Sequence, residues 1–183
     1  MMGKTDQHIG KVLVYTGNGK GKTTAAFGLA ARALGRDMKV LILQFIKSPK
    51  LTYGEQISLE KLGAKVEQLG IGFTWLKTPE EHRVSLEAAW KKAKEELLSG
   101  QYDVVIFDEL NNALAIDSFP IDDVLPLTDI VETIKNKPVQ THLIITGRDA
   151  KPEIKELADL VSVITEEKHY YQDGVDAIYG IEY

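Results

Sequence analysis

A chain of 183 residues suits one domain, and by size scaling it can bury roughly 70% of its extended-chain surface, so no covalent staple is needed. It contains no cysteine, which excludes disulfide frameworks, zinc–thiolate sites, iron–sulfur clusters and a cysteine nucleophile, and leaves oxygen or histidine for any metal. The formal net charge of −5 argues against a general nucleic-acid binder. With no apolar leader and no apolar run approaching a membrane span, the chain reads as a soluble cytoplasmic protein.

Residues Met1 to Gly10 are polar and too short for a domain, and read as a flexible arm, a cloning remnant or a short lid. Val12 to Tyr15 then reads as a buried strand. It breaks into Thr16-Gly17-Asn18-Gly19-Lys20-Gly21-Lys22-Thr23-Thr24, a phosphate-binding loop. The glycines let successive backbone N–H groups turn toward an anion, Lys22 reaches the phosphates and Thr23 offers a hydroxyl to Mg²⁺. Its first glycine falls at Gly17, one place later than the usual spacing, so the loop is slightly compressed. Ala26, Leu29, Ala30, Ala33 and Leu34 follow at helical spacing, which sets the loop at a helix N-terminus.

Gly35 to Asp37 makes a turn, and Lys39 to Phe45 reads as a second buried strand. Strand, helix and strand in succession imply a parallel sheet. Gln44 and Lys47 stand at the carboxyl end of that strand, where open α/β sheets bind ligands, although a solvated strand end is the plain alternative. A short helix runs to Leu62, and a third strand covers Ala64 to Leu69. In the next loop Phe73 and Trp75 lie outside any core periodicity, which leaves two readings. They form either a satellite of the core or an apolar wall against a large flat ligand.

The amphipathic stretch Pro79 to Ser99 predicts a long helix with Leu86, Ala89, Trp90, Ala93 and Leu97 on one face. Asp103 to Glu109 is a buried strand ending in paired carboxylates, and in folds of this kind an acidic residue at this point holds Mg²⁺ opposite the loop threonine. Asp108 and Glu109 are the candidates. A turn or short helix follows to Ala115, then a helix over Asp122 to Lys135 that Pro126 kinks or delays. Val139 to Thr146 is the next strand, and Arg148 just beyond it is either a phosphate ligand or half of a surface ion pair. A helix over Pro152 to Ala158, a strand over Leu160 to Thr165 and a tail ending in an edge strand, Ile178 to Tyr183, complete the chain. The whole predicts a single-domain α/β fold of the P-loop, RecA-like kind. Its mostly parallel central sheet is flanked by helices, with residues 1–10 as an arm and 11–183 as the nucleotide-binding domain.

Several stretches together resemble the ATP:corrinoid adenosyltransferases of the CobA, CobO and BtuR type. They are Thr16 to Gly28, Gln44 to Lys47, Gly72 to Trp75, Asp108 to Leu110, Thr146 to Arg148, Ala158 to Val161 and the ending from Lys168 to Tyr183. The compressed loop is that family's own form. The resemblance implies transfer of the 5′-deoxyadenosyl group of ATP to the cobalt(I) of a reduced corrinoid, with release of triphosphate. It implies that Gly17, Asn18, Gly19, Lys20, Gly21, Lys22, Thr23, Thr24, Gln44, Lys47 and Arg148 bind the nucleotide, and that Thr23, Asp108 and Glu109 serve Mg²⁺. Lys22, Glu109, Phe73 and Trp75 then carry the reaction, the two aromatics removing an axial ligand beneath the corrinoid ring. A homodimer and a flavoprotein reductant such as flavodoxin are implied as well.

Two other functions fit the motifs without the resemblance. An ATPase or kinase would use the same loop and carboxylates for phosphoryl transfer. A nucleotide-gated nucleic-acid module would use Phe73 and Trp75 as stacking platforms, a reading that the acidic balance weakens.

Overall fold

The apolar runs become strands of one sheet in the computed structural model, which describes residues 9–50, 52–72 and 77–183. The strands are β1 (Val12–Thr16), β2 (Val40–Gln44), β3 (Lys65–Gln68), β4 (Val104–Asp108), β5 (His142–Thr146) and β6 (Leu160–Val163). Their spatial order is β3-β2-β4-β5-β1-β6, and every pairing is parallel. Parallel neighbours need crossovers that lay helices over both faces, so interior strands read as continuous apolar runs. β2 and β4 show this pattern, with all five residues of each buried.

The crossovers are α1 (Lys22–Leu34), α2 (Gly54–Lys61), α3 (Pro79–Leu98), α4 (Leu110–Leu114), α5 (Leu127–Lys135) and α6 (Pro152–Leu157). On one face Ala26, Phe27 and Ala30 of α1 and Leu59 of α2 pack with Ile42 and Ile106. Trp90 and Leu97 of α3, Leu110 of α4, Ile130 of α5 and Ile154 of α6 pack with Leu43 and Phe107 on the other. The buried stripe of α3 is the predicted one with His82 added, and a reciprocal Thr78–Glu81 capping box starts the helix. Among the described residues, no helix is long and apolar enough to cross a membrane.

One predicted helix starts late, as its proline foretold, and one predicted strand takes another form. The helix expected from Asp122 begins at Leu127, because Pro126 stands at its N-cap in extended backbone. Ile178 to Tyr183 is not an edge strand. Gly180 takes a positive φ of 78° and its N–H bonds to the Tyr183 carbonyl at 2.8 Å, while the Glu182 N–H bonds to the Ile178 carbonyl at 2.8 Å. The segment satisfies its own backbone locally, which leaves β6 as the edge.

Candidate nucleotide site

The strand order brings the carboxyl ends of β4, β5 and β1 side by side. Register sets Gln44 opposite Asp108 and Tyr15 opposite Thr146, so the loop after β1, the carboxylates after β4 and Gly147-Arg148 after β5 meet on one rim. Ligands of open α/β sheets bind at this end.

The loop itself is moulded against the strand beside it. Gly17 has φ of 100°, and a Cβ there would lie 2.4 Å from the carbonyl oxygen of Ile164, so both backbone angle and space demand glycine. α1 then starts at Lys22 with no side-chain cap and no acidic residue in its first turn. Its free N–H groups and positive dipole end are left for an anion. The Lys22 ammonium donates to the Gly19 carbonyl at 2.6 Å, folded back over its own loop. Burial and the neighbouring Arg148 charge lower its pKa, against the pull of Glu109, Glu166 and Asp149.

Asp108 is fully buried and accepts three hydrogen bonds: from the Thr23 hydroxyl at 2.8 Å, the Thr146 hydroxyl at 2.8 Å and the Gln44 amide at 3.0 Å. Thr146 also accepts the Glu109 N–H at 2.9 Å, so one hydroxyl ties both carboxylate residues to β5. Glu109 turns the chain into α4 at φ of 63°, a left-handed angle uncommon outside glycine. Burial, then the charge of Asp108, pushes its carboxyl up to about 7, although Lys47, Lys22 and Arg148 oppose the shift.

That shift has a testable consequence for stability. Ionising Glu109 costs the folded state more than the unfolded state, so stability is full below the ordinary carboxyl range and is lost as pH rises toward about 7. Glu109→Gln is therefore expected to unfold at the wild-type temperature near about pH 4.5, and a few degrees higher at about pH 8. Parallel melting curves across that range would disprove the shift.

Lys20, Lys22, Thr23, Thr24, Lys47, Glu109 and Arg148 line one cavity of about 1020 Å³. Gln44 is 1% exposed and holds Asp108 from behind. Phe73 and Trp75 lie outside the described residues. Lys47 pairs with Glu55 at 2.9 Å and sits 4.2 Å over the Tyr53 ring. Burial alone would lower its pKa, but Asp108 and Glu55 outweigh that and raise it.

Sequence reasoning missed Glu55, Thr146 as the clasp of Asp108, Asn112 and the wall formed by Gly180 to Tyr183. Glu55 had a faint signal, an acidic residue in the first turn of the helix that follows the strand-end lysine. The tail had none in its local pattern.

The Thr23 and Asp108 oxygens meet across the loop, with Glu109 beside them. An all-oxygen set of this kind suits Mg²⁺, which takes one or two protein oxygens and completes its shell with phosphates and water. Loop, sheet order and carboxylates together define a P-loop nucleotide-binding protein. The chain belongs to the ATP:corrinoid adenosyltransferase family BtuR/CobO/CobP, whose model matches residues 8–183. It is 41% identical over 175 residues to the corrinoid adenosyltransferase of Escherichia coli K12, covering 95% of this chain and 86% of that protein. It is 38% identical over 181 residues to corrinoid adenosyltransferase CobA of Salmonella typhimurium, covering 98% and 89%. With the Pseudomonas aeruginosa corrinoid adenosyltransferase it shares 39% over 178 residues, covering 95% and 84%.

Proposed function

We propose that this protein transfers the 5′-deoxyadenosyl group of ATP to the cobalt of a reduced corrinoid. The observation that supports it best, beside family membership, is the mixed charged and apolar lining of the cavity. Its lining joins the charged Lys20, Lys22 and Arg148 to the apolar Phe27, Ile46, Leu59 and Leu62. At about 1020 Å³ it has room for more than a nucleotide.

Cobalt(I) brings its own electron pair. The cobalt–carbon bond forms at C5′ as the C5′–O5′ bond breaks, and the bonding pair leaves with triphosphate. The protein then has two tasks, holding the leaving group and neutralising its growing charge. Gly17 to Thr24 cradle the phosphates, Lys20, Lys22 and Arg148 supply positive charge, and Lys47 and Gln44 order the neighbouring strand end. A unit charge pair at about 4 Å is worth roughly 4 kcal/mol at an effective dielectric near 20, so these contacts matter to the rate. Thr23, Asp108 and Glu109 would hold Mg²⁺, which when bound offsets charge on the triphosphate. No side chain need activate water, because the nucleophile comes with the corrinoid.

Phe73 and Trp75 are assigned to the lower face of the corrinoid, where apolar rings displace the axial ligand and ease reduction to cobalt(I). The electron source is a flavoprotein such as flavodoxin. The working form is a cytoplasmic homodimer without nucleic acid, in which residues 11–183 are the catalytic domain and 1–10 an arm.

The test mixes purified protein with Mg-ATP and chemically reduced cobalamin, and follows the cobalt(I) spectrum, the light-sensitive cobalt–carbon product and triphosphate. All three should change together. Steady phosphate release without corrinoid would instead indicate phosphoryl transfer. In the same assay Trp75→Ala is expected to impair adenosylation while ATP binding stays nearly intact, and equal loss of both would place Trp75 in the core.

A further inference from the structure

The C-terminal segment returns to the phosphate loop. After β6, the backbone of Ile164 supports the loop by accepting the Gly19 N–H at 2.8 Å. The chain then passes through a short 3-10 turn at Tyr170–Asp173 and closes back so that Gly180, Ile181, Glu182 and Tyr183 line the cavity. Its contact with the loop is specific. One Glu182 oxygen takes the Lys20 ammonium at 2.5 Å and the other takes the Tyr170 hydroxyl. The Glu182 side chain is 19% exposed and that of Lys20 39%, so the pair sits half out of water at the mouth. The Lys20 hydrogen bond, then that of Tyr170, holds the Glu182 carboxyl below its usual range, and it is ionised at neutral pH.

An anion held on a loop cation has an energetic consequence. A polyphosphate entering the loop needs the same ammonium, and it carries several negative charges where Glu182 carries one. We propose that Glu182, oriented by Tyr170, is an internal counter-anion for Lys20 that the polyphosphate displaces, so that it sets the affinity for triphosphate and couples binding to release of the 178–183 wall. The proposal rests on the assignment of Lys20 to the phosphates. Lys20 exchanges one oxyanion partner for another, and the tail loses its one side-chain tie to the loop among the described residues.

Two consequences separate this from a general charge effect. A partly exposed ion pair is weak, so Glu182→Gln is expected to tighten binding of inorganic triphosphate about threefold. In a Lys20→Met background the same substitution should change nothing, because the partner it competes for is gone. The second consequence lies in the backbone of 178–183, whose turn bonds run from the Gly180, Ile181 and Glu182 N–H groups. Their hydrogen exchange should quicken when triphosphate binds the wild-type protein and be quick already in Glu182→Gln.

The experiment is calorimetric titration of sodium triphosphate into wild type, Glu182→Gln, Lys20→Met and the double variant, with exchange measured on the first two. Tightening that requires Lys20, together with faster exchange, supports the counter-anion. Weaker or unchanged binding by Glu182→Gln overturns it, as does a gain that persists without Lys20 or exchange that triphosphate leaves alone. Wild-type protein that does not take up triphosphate at all would remove the phosphate assignment itself, whereas tight wild-type binding with an inert Glu182 removes only the inference.

Discussion

Lys22→Met is expected to lower adenosylation by about a hundredfold or more, because it deletes a preorganised charge aimed at the leaving group. The side chain rises from the first residue of α1 and is held at 2.6 Å by the carbonyl of Gly19, so it waits over the loop. Little reorganisation is then needed when phosphate replaces that carbonyl as its partner. Charge builds on triphosphate only as the C5′–O5′ bond breaks, so the loss should fall more on kcat than on KM for ATP. Lys22→Arg is not expected to restore the rate, since the planar guanidinium fork needs more room than a point-like ammonium. Measured with cobalt(I) cobalamin in excess, a Lys22→Met variant that keeps more than about a tenth of the wild-type kcat would show that other groups neutralise the triphosphate.

Gly147→Ala is expected to destabilise the protein by about 2–5 kcal/mol, through overpacking and a left-handed backbone angle acting together. Gly147 leaves β5 at φ of 127°, and a Cβ there would lie 2.6 Å from Asn112 Oδ1 and 2.7 Å from the Asn112 backbone nitrogen. Neither neighbour can yield easily. Asn112 belongs to α4, and its side-chain oxygen accepts the Arg148 N–H at 2.6 Å, so relief of the clash would separate α4 from β5 and move Arg148 off the rim. At roughly 2–4 °C per kcal/mol for a domain of this size, the midpoint of thermal unfolding should fall by about 10 °C. A midpoint within about 2 °C of wild type would mean that the α4 start shifts freely.

How far the site could be read in advance depended on chain separation. The loop, α1 and their roles are contiguous, and a run of glycines and lysines between a strand and a helix has few other uses. The end of β4 was legible for the same reason, since carboxylates closing a buried strand stand out locally. Thr23 and Asp108 are 85 residues apart and could be paired only through the fold class that their two motifs share, whereas nothing in the sequence pairs Lys20 with Glu182, 162 residues away. Thr146 shows the limit well. As a residue it is one more β-branched position in an apolar strand, and it becomes the clasp of Asp108 because β5 lies beside β4. Ile178 to Tyr183 misled by the same route, because its alternation of apolar residues matches a strand while its backbone closes into turns.

By itself the sequence determined the parallel α/β class, the phosphate loop and its helix, the acidic strand end and the buried stripe of α3, because hydrophobic period, glycine placement and charge act over a few neighbouring residues. Only the tertiary structure decided the strand order that puts β5 between β4 and β1, the left-handed turn and raised pKa of Glu109, and the return of the tail to Lys20. These depend on which surfaces meet once the sheet has closed its core, and burial, charge proximity and strand adjacency are properties of that assembly.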